Sequence, residues 1–242
     1  MLDRERFGTV IFDCDATLSE IKGIEELGRE HRRALEDMSN AAMDGDVLLE
    51  EIYAARLNLA RPNRTRVEEV GHQYVERLTA DALEVVAALL AADVDVRVIS
   101  SGVRPAVLIL SRYLGIADEK VAAVDLRFDA AGGYQGYDRT SPLAASRGKV
   151  RIIEQWAATM ARPVMLVGDG ATDLEAKGVV DMFVVYAGVA ARPKVMAGAD
   201  AVIRHRTLAP VLPLALDHIP NSEPARSVFE RGAALLGDND SD

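Results

Sequence analysis

Short runs of β-branched and apolar residues recur along this chain, and each stops abruptly at a polar or glycine-bearing tip. The runs are "TVIFD", "DVRVISSG", "PVMLVGDG" and "MFVVYAG". Helical stretches separate them: "DALEVVAALLAA", "RPAVLILSRYLG" closed by Gly115, "GKVRIIEQWAATM" and "TDLEAKGV". Alternating β and α segments with short connections predict a parallel sheet covered by helices on both faces. In open sheets of this kind, ligands bind beyond the carboxyl ends of the strands. The tips of these runs are therefore the first place to look for chemistry.

One block interrupts the alternation. Residues 8–13 read as a buried strand opened by Gly8, and residues 20–79 then read as all-helical. Helices are predicted over 23–38 and 46–60, the second with Val47, Leu48, Ile52, Leu57 and Leu59 at helical spacing. A third begins at Thr65, where Thr-Arg-Val-Glu ending at Glu68 matches a capping box. Later, "DLRFDAAGGYQGYD" reads as two strands around a Gly-Gly turn. The expected organisation is a core of residues 1–19 and 80–220, a helical cap of 20–79, and a peripheral segment of 221–242 with a helix and a loose tail.

Composition narrows the function classes. With 242 residues the chain is long enough for a large core. The net charge of -10 argues against nucleic acid or anionic membrane as partner, because both select basic patches. Cys14 is the single cysteine, so no intrachain disulfide forms. The opening "MLDRERFGTV" lacks the apolar run of a signal peptide. The apolar region from Leu83 to Ile99 is broken by Glu84, Asp93, Asp95 and Arg97, which is incompatible with a membrane span. The expected compartment is the cytoplasm, and the expected assembly a monomer or homodimer.

The first strand runs directly into Asp13 and Asp15, and the "GDGATD" tip supplies Asp169 and Asp173. Gathered at one sheet edge, these carboxylates repel and lose hydration unless a cation joins them. Carboxylate and carbonyl oxygens suit a hard divalent ion, and Mg²⁺ favours a phosphate partner. Cys14, between the two aspartates, reads as a small buried filler.

"DCDAT", then "ISSG", then a basic residue opening a helix, then "GDGATD", together resemble the haloacid dehalogenase superfamily of phosphohydrolases, and within it the phosphoserine phosphatase family. The likeness spans most of residues 8–205, with "AAMDGDVLLEEIYAARLNL" similar to that family's cap. It implies a Rossmann-like α/β fold with the cap inserted after the first strand, and an Mg²⁺-dependent phosphomonoester hydrolase acting on a small phosphorylated metabolite. Asp13 is then the nucleophile that forms an aspartyl-phosphate, and Asp15 the general acid and base. The metal is expected on Asp13, the Asp15 backbone carbonyl and Asp169, with Asp173 orienting its waters or the basic residue. Thr17 steadies the loop. Ser100 stands where the family hydrogen-bonds a phosphoryl oxygen, Ser101 and Gly102 border it, and Thr172 joins the phosphate-binding set.

Three positions depart from the family pattern. Ser-Ser-Gly replaces Ser-Gly-Gly at residues 100–102. The family's Lys-Gly becomes "SRGKV", with Arg147 preferred as the phosphate clamp and Lys149 as the alternative. In the cap, Arg56 matches the arginine that receives the substrate carboxylate, and Met43 and Leu49 match apolar contacts. Lys22, however, stands where the family has a glutamate for the substrate ammonium. Glu20 is the alternative amine partner. Lys22 with Arg56 therefore points to a phosphomonoester carrying a second anionic group, a substrate other than or broader than phosphoserine. Phosphotransfer to an acceptor alcohol, and a non-catalytic module that binds a phosphorylated metabolite, are the competing readings.

Overall fold

The structure, a computed structural model, describes residues 6–239. Residues 1–5 of the expected core and the end of the expected loose tail, 240–242, lie outside the described residues. The alternating pattern closes into one six-stranded sheet. Its strands are β1 (Thr9–Phe12), β2 (Asp95–Val103), β3 (Val121–Val124), β6 (Val164–Gly168), β7 (Met182–Tyr186) and β8 (Ala201–Ile203), in the order β3-β2-β1-β6-β7-β8. Every pairing in it is parallel. Strands β4 (Leu126–Phe128) and β5 (Tyr134–Tyr137) form the separate antiparallel pair expected around Gly132 and Gly133. The fold is Rossmann-like α/β.

Strand order places the reversal between β1 and β6, which is where open α/β sheets leave a crevice. Phe12 pairs in register with both Val98 and Val167, so β1 and β6 end side by side while β2 runs on past them to Val103. Val10, Ile11 and Phe12 are fully buried, each worth about 1.5–3 kcal/mol of burial, and they fix where Asp13 emerges. The Asp13 N–H continues the ladder, donating to the Val167 carbonyl at 2.8 Å.

Between β1 and β2 lies the helical insert: α1 (Gly23–Leu27), α2 (Arg32–Met43), α3 (Leu49–Ala60) and α4 (Arg64–Glu76). The helix expected over 23–38 is broken at Gly28, the C-cap of α1, where a side chain would meet Leu35 and Ala60. The second insert helix starts at Leu49, after a turn in which Gly45 takes a positive φ of 76°. The N-cap of α4 is Asn63, whose side chain accepts from the Arg66 N–H at 2.8 Å; the Thr65 box is not formed. Asparagine two residues earlier satisfies the orphan donors of the first turn.

Helices α5 (Ala82–Ala91), α6 (Arg104–Tyr113), α7 (Gly148–Trp156), α8 (Ala171–Leu174), α9 (Pro193–Gly198) and α10 (Val211–Ala215) complete the layers. The segment "TDLEAKGV" is helical only through Leu174 and tightens into a 3-10 turn over Glu175–Val179. Helix α11 (Glu223–Asn239) packs on α5 and α10, tied by Arg231 to Asp81 at 2.5 Å. Among the described residues no helix is long and apolar enough to cross a membrane.

Candidate active site

Asp13 leaves β1 at the crevice and is 5 % exposed. Lys149, from the first turn of α7, reaches it with Nζ 2.8 Å from Asp13 Oδ1 and 2.7 Å from Asp173 Oδ1. Lys149 is itself 2 % exposed, so the pair is shielded from water. Asp173 is held on its other oxygen by the Gly170 N–H at 3.1 Å. Its carboxylate lies against Gly168, where a Cβ would come within 2.2 Å of it, so that strand tip excludes any side chain.

Asp169 completes the acidic group: Asp13, Asp169 and Asp173 each place a carboxylate oxygen within 4.8 Å of the others. Burial pushes the Asp13 carboxyl well above its usual range. Lys149 pulls it back, while Asp173, Asp169 and Asp15 push it further up. Burial, then Asp173, push Asp169 up to about 6 against the pull of Arg192, Lys22 and Lys149. Burial also weakens the Lys149 ammonium, but Asp13 and Asp173 more than offset it and hold its proton tightly. Asp169 Oδ2 is buried without a hydrogen-bond partner among the described residues. A hard divalent cation answers all of these observations, so the residues present fit Mg²⁺.

Asp15 lies across the crevice, and its Oδ1 accepts from the Gly23 N–H at 2.7 Å and from the Tyr74 hydroxyl at 2.5 Å. Together with Asp13, Lys149 and Asp169 it lines a narrow cavity of about 40 Å³ under the insert. The insert contributes Lys22, Ile24, Ser39, Met43 and Arg56, and the core adds Ser101 and Thr172. The Arg56 guanidinium is buried, and its Nε has no hydrogen-bond partner among the described residues. Burial pulls its proton affinity down, against Tyr53, Glu25, Asp15 and Tyr74. Lys22 Nζ donates to Asn40 Oδ1 at 3.2 Å and stands 3.8 Å from Glu25.

Several expected positions move. Arg147 does not reach the cavity: it is exposed, at the N-cap of α7, with a positive φ of 57°. Its N–H donates to Glu175 at 2.5 Å, and the preceding residue is tied to α3 through Glu50 and Leu49. That left-handed step turns the helix so that its second residue, Lys149, points at the aspartates. Ser100 is buried, but its Oγ accepts from the Gly102 N–H at 2.9 Å, and Ser101 lines the cavity instead. Gly102 is beside Asp15: a Cβ there would be 3.0 Å from Asp15 Oδ2. Thr17 is buried away from the cavity; its carbonyl accepts from Thr79 at 2.6 Å, and its own hydroxyl has no partner among the described residues. Leu49 is in the core and Glu20 pairs with Arg206 at 3.1 Å, so neither lines the cavity.

Sequence reasoning missed Ser39, which shares a helix face with Met43 four residues on and was legible from that spacing. It also missed Glu25, three residues from Lys22, and Tyr74, which only packing brings near. Arg192, given no role, is buried at the seam between core and insert. It pairs with Asp44, donates to Asn40 at 3.3 Å, and holds Nε 3.6 Å from Asp169.

Comparison with known proteins agrees with this geometry. The model of the haloacid dehalogenase-like hydrolases matches residues 10–176. The chain is 37% identical to the chloroplastic phosphoserine phosphatase of Arabidopsis thaliana, over 80% of this chain and 68% of that protein. It is 34% identical to the phosphoserine phosphatase of Bos taurus, over 79% of this chain and 86% of that one. A crystal structure of a phosphoserine phosphohydrolase-like protein from Francisella tularensis superposes with a TM-score of 0.75 at 25% identity, covering 81% of this chain and 95% of the other.

Proposed function

The chain belongs to the haloacid dehalogenase-like hydrolases, and from that premise we propose that it hydrolyses a small phosphomonoester through an aspartyl-phosphate on Asp13. The observation that carries the reading is the buried contact between Asp13 and Lys149, at 2.8 Å, inside a crevice that also holds Asp15 and Asp169. The Asp13 carboxylate attacks phosphorus as the bond to the leaving oxygen breaks, and Asp15 gives that oxygen a proton. A water then attacks the phosphoryl group, Asp15 takes its proton, the acyl-phosphate bond breaks, and inorganic phosphate leaves with Asp13 regenerated.

Asp13, Asp169, Asp173 and the Asp15 backbone carbonyl would hold Mg²⁺, which supplies charge neutralisation for phosphate and nucleophile alike. Lys149 replaces Arg147 as the clamp, its charge pulling against the burial that favours the acid form of Asp13. Ser101 and Thr172 border the phosphoryl group. In this reading residues 1–19 and 80–220 form the catalytic core, 20–79 the cap and 221–242 a peripheral segment. The cap covers this narrow cavity, and on this reading it opens to admit each substrate.

The substrate carries a second anionic group. Lys22 and Arg56 both face the cavity, and the Arg56 Nε lacks a hydrogen-bond partner among the described residues. Burial raises the neighbouring Glu25 carboxyl above its ordinary value, against the pull of Lys22. The compartment of this reading is the cytoplasm, with a small phosphorylated metabolite as partner, no nucleic acid or membrane, and a monomer or homodimer as assembly. A panel of phosphoesters with Mg²⁺ tests it. Release of phosphate from carboxylated, amine-free esters at least as fast as from phosphoserine, lost in Asp13→Asn, is expected. No metal-dependent turnover, or no effect of Asp13→Asn, defeats it.

A further inference from the structure

We infer that Tyr74 is a positioning residue for Asp15: its hydroxyl and the Gly23 N–H jointly occupy Oδ1 of that carboxylate, leaving Oδ2 as the oxygen that exchanges protons with the leaving group and with water. Tyr74 is on α4, 59 residues from Asp15, with no exposed surface. Its hydroxyl donates to Oδ1 at 2.5 Å, and Gly23 donates to the same oxygen at 2.7 Å. A carboxylate free to rotate presents either oxygen. With two donors converging on one of them, rotation breaks two charge-assisted hydrogen bonds. The other oxygen faces the β2 tip, where a Cβ on Gly102 would be 3.0 Å away.

The seat of the phenol is itself built. A Cβ on Gly23 would stand 2.0 Å from the Tyr74 hydroxyl, and one on Gly102 3.4 Å from it, so both glycines leave room that the phenol fills. Helix α4 is anchored on α6, with Gly71 against Ile109, and the ring therefore approaches Asp15 from a fixed support. As Asp15 gives up its Oδ2 proton and becomes an anion, both donors to Oδ1 strengthen. That is where the contact acts: on the proton-transfer step, with no bond to substrate.

The inference rests on the acid and base role proposed for Asp15, and leaving-group dependence separates the two. An alkyl phosphate needs a proton on its departing oxygen; para-nitrophenyl phosphate departs as a stable phenolate and does not. First-turnover rates on both, with Mg²⁺, are measured for wild type, Tyr74→Phe and Asp15→Asn. Tyr74→Phe keeps the ring and is expected to lower the alkyl-to-aryl rate ratio about tenfold or more, the scale of one hydrogen bond to a charged group. Asp15→Asn is expected to lower it further. Gly23→Ala, which displaces the phenol with its hydroxyl intact, gives the same signature and carries the test should Tyr74→Phe fail to fold. An unchanged ratio in Tyr74→Phe or in Gly23→Ala overturns the inference while the role of Asp15 stands. An unchanged ratio in Asp15→Asn overturns both.

Discussion

Lys149 Nζ bridges Asp13 and Asp173, 2.8 Å from one carboxylate and 2.7 Å from the other, with all three side chains buried. Removing one member of such a set strands the others without compensation. Lys149→Met is therefore expected to abolish phosphate release and to cost about 3–5 kcal/mol of folding stability. Arg147→Met, at an exposed position, is expected to stay within about 0.5 kcal/mol and to keep most of its turnover. Thermal melts and steady-state kinetics on the two variants check this. Loss of activity in Arg147→Met with Lys149→Met active would reverse the assignment of the clamp.

Lys22 sets the sign of the substrate subsite. Lys22→Glu exchanges an ammonium for a carboxylate beside Arg56, and is expected to shift the kcat/KM ratio of amine-bearing over amine-free carboxylated phosphoesters upward by about tenfold or more, one ion pair's worth in a partly desolvated site. The same panel of substrates measures it. Phosphoserine turnover that leads the panel in wild type and is unmoved by the substitution contradicts the anionic subsite.

Glu25 gives the stability curve a recognisable slope. Burial raises its carboxyl above the ordinary value, against Lys22, Ser39 and Arg56. The folded state therefore binds that proton more tightly than the unfolded chain. The contribution is present below the unfolded glutamate value of about 4.3 and is lost as pH rises through the raised folded value. Melting temperature followed upward from pH 4 is expected to fall in wild type relative to Glu25→Gln. Parallel curves for the two proteins contradict it.

Removing divalent cations leaves Asp13, Asp169 and Asp173 crowded, with Lys149 bridging Asp13 and Asp173 alone. Chelation is expected to abolish turnover and Mg²⁺ to restore it, with Asp169→Asn needing more metal for the same rate. Beryllofluoride with Mg²⁺ is expected to protect residues 20–79 from proteolysis in wild type and not in Asp13→Asn. Arg192, which ties Asp44 and Asn40 of the insert to Asp169, is expected to be needed for full protection, so that Arg192→Ala weakens it. Cleavage patterns on a gel report both effects.

Reading the chain in order recovered the sheet, the place of the insert and the acidic tips, because each is a local signal. Hydrophobic period names a strand or helix, and a strand that ends in Asp13 or Asp169 carries that residue to the sheet edge wherever the sheet sits. Helix boundaries in the insert were less legible. Gly28 and Asn63 decide them, through a close crossing of segments and a competing cap. Which serine borders the cavity was hidden as well, since Ser100 turns its hydroxyl to the Gly102 N–H.

By itself the sequence determined an α/β pattern with aspartates at the tips of β1 and β6, since residues adjacent on a strand stay adjacent in any fold that forms it. Only the tertiary structure decided that Lys149 and not Arg147 meets Asp13, and that Tyr74 grips Asp15. Those contacts depend on a left-handed step at one loop residue and on a helix packed from 59 positions away. Side chains on different elements meet according to how the backbone turns between them, and spacing along the chain does not encode that turn.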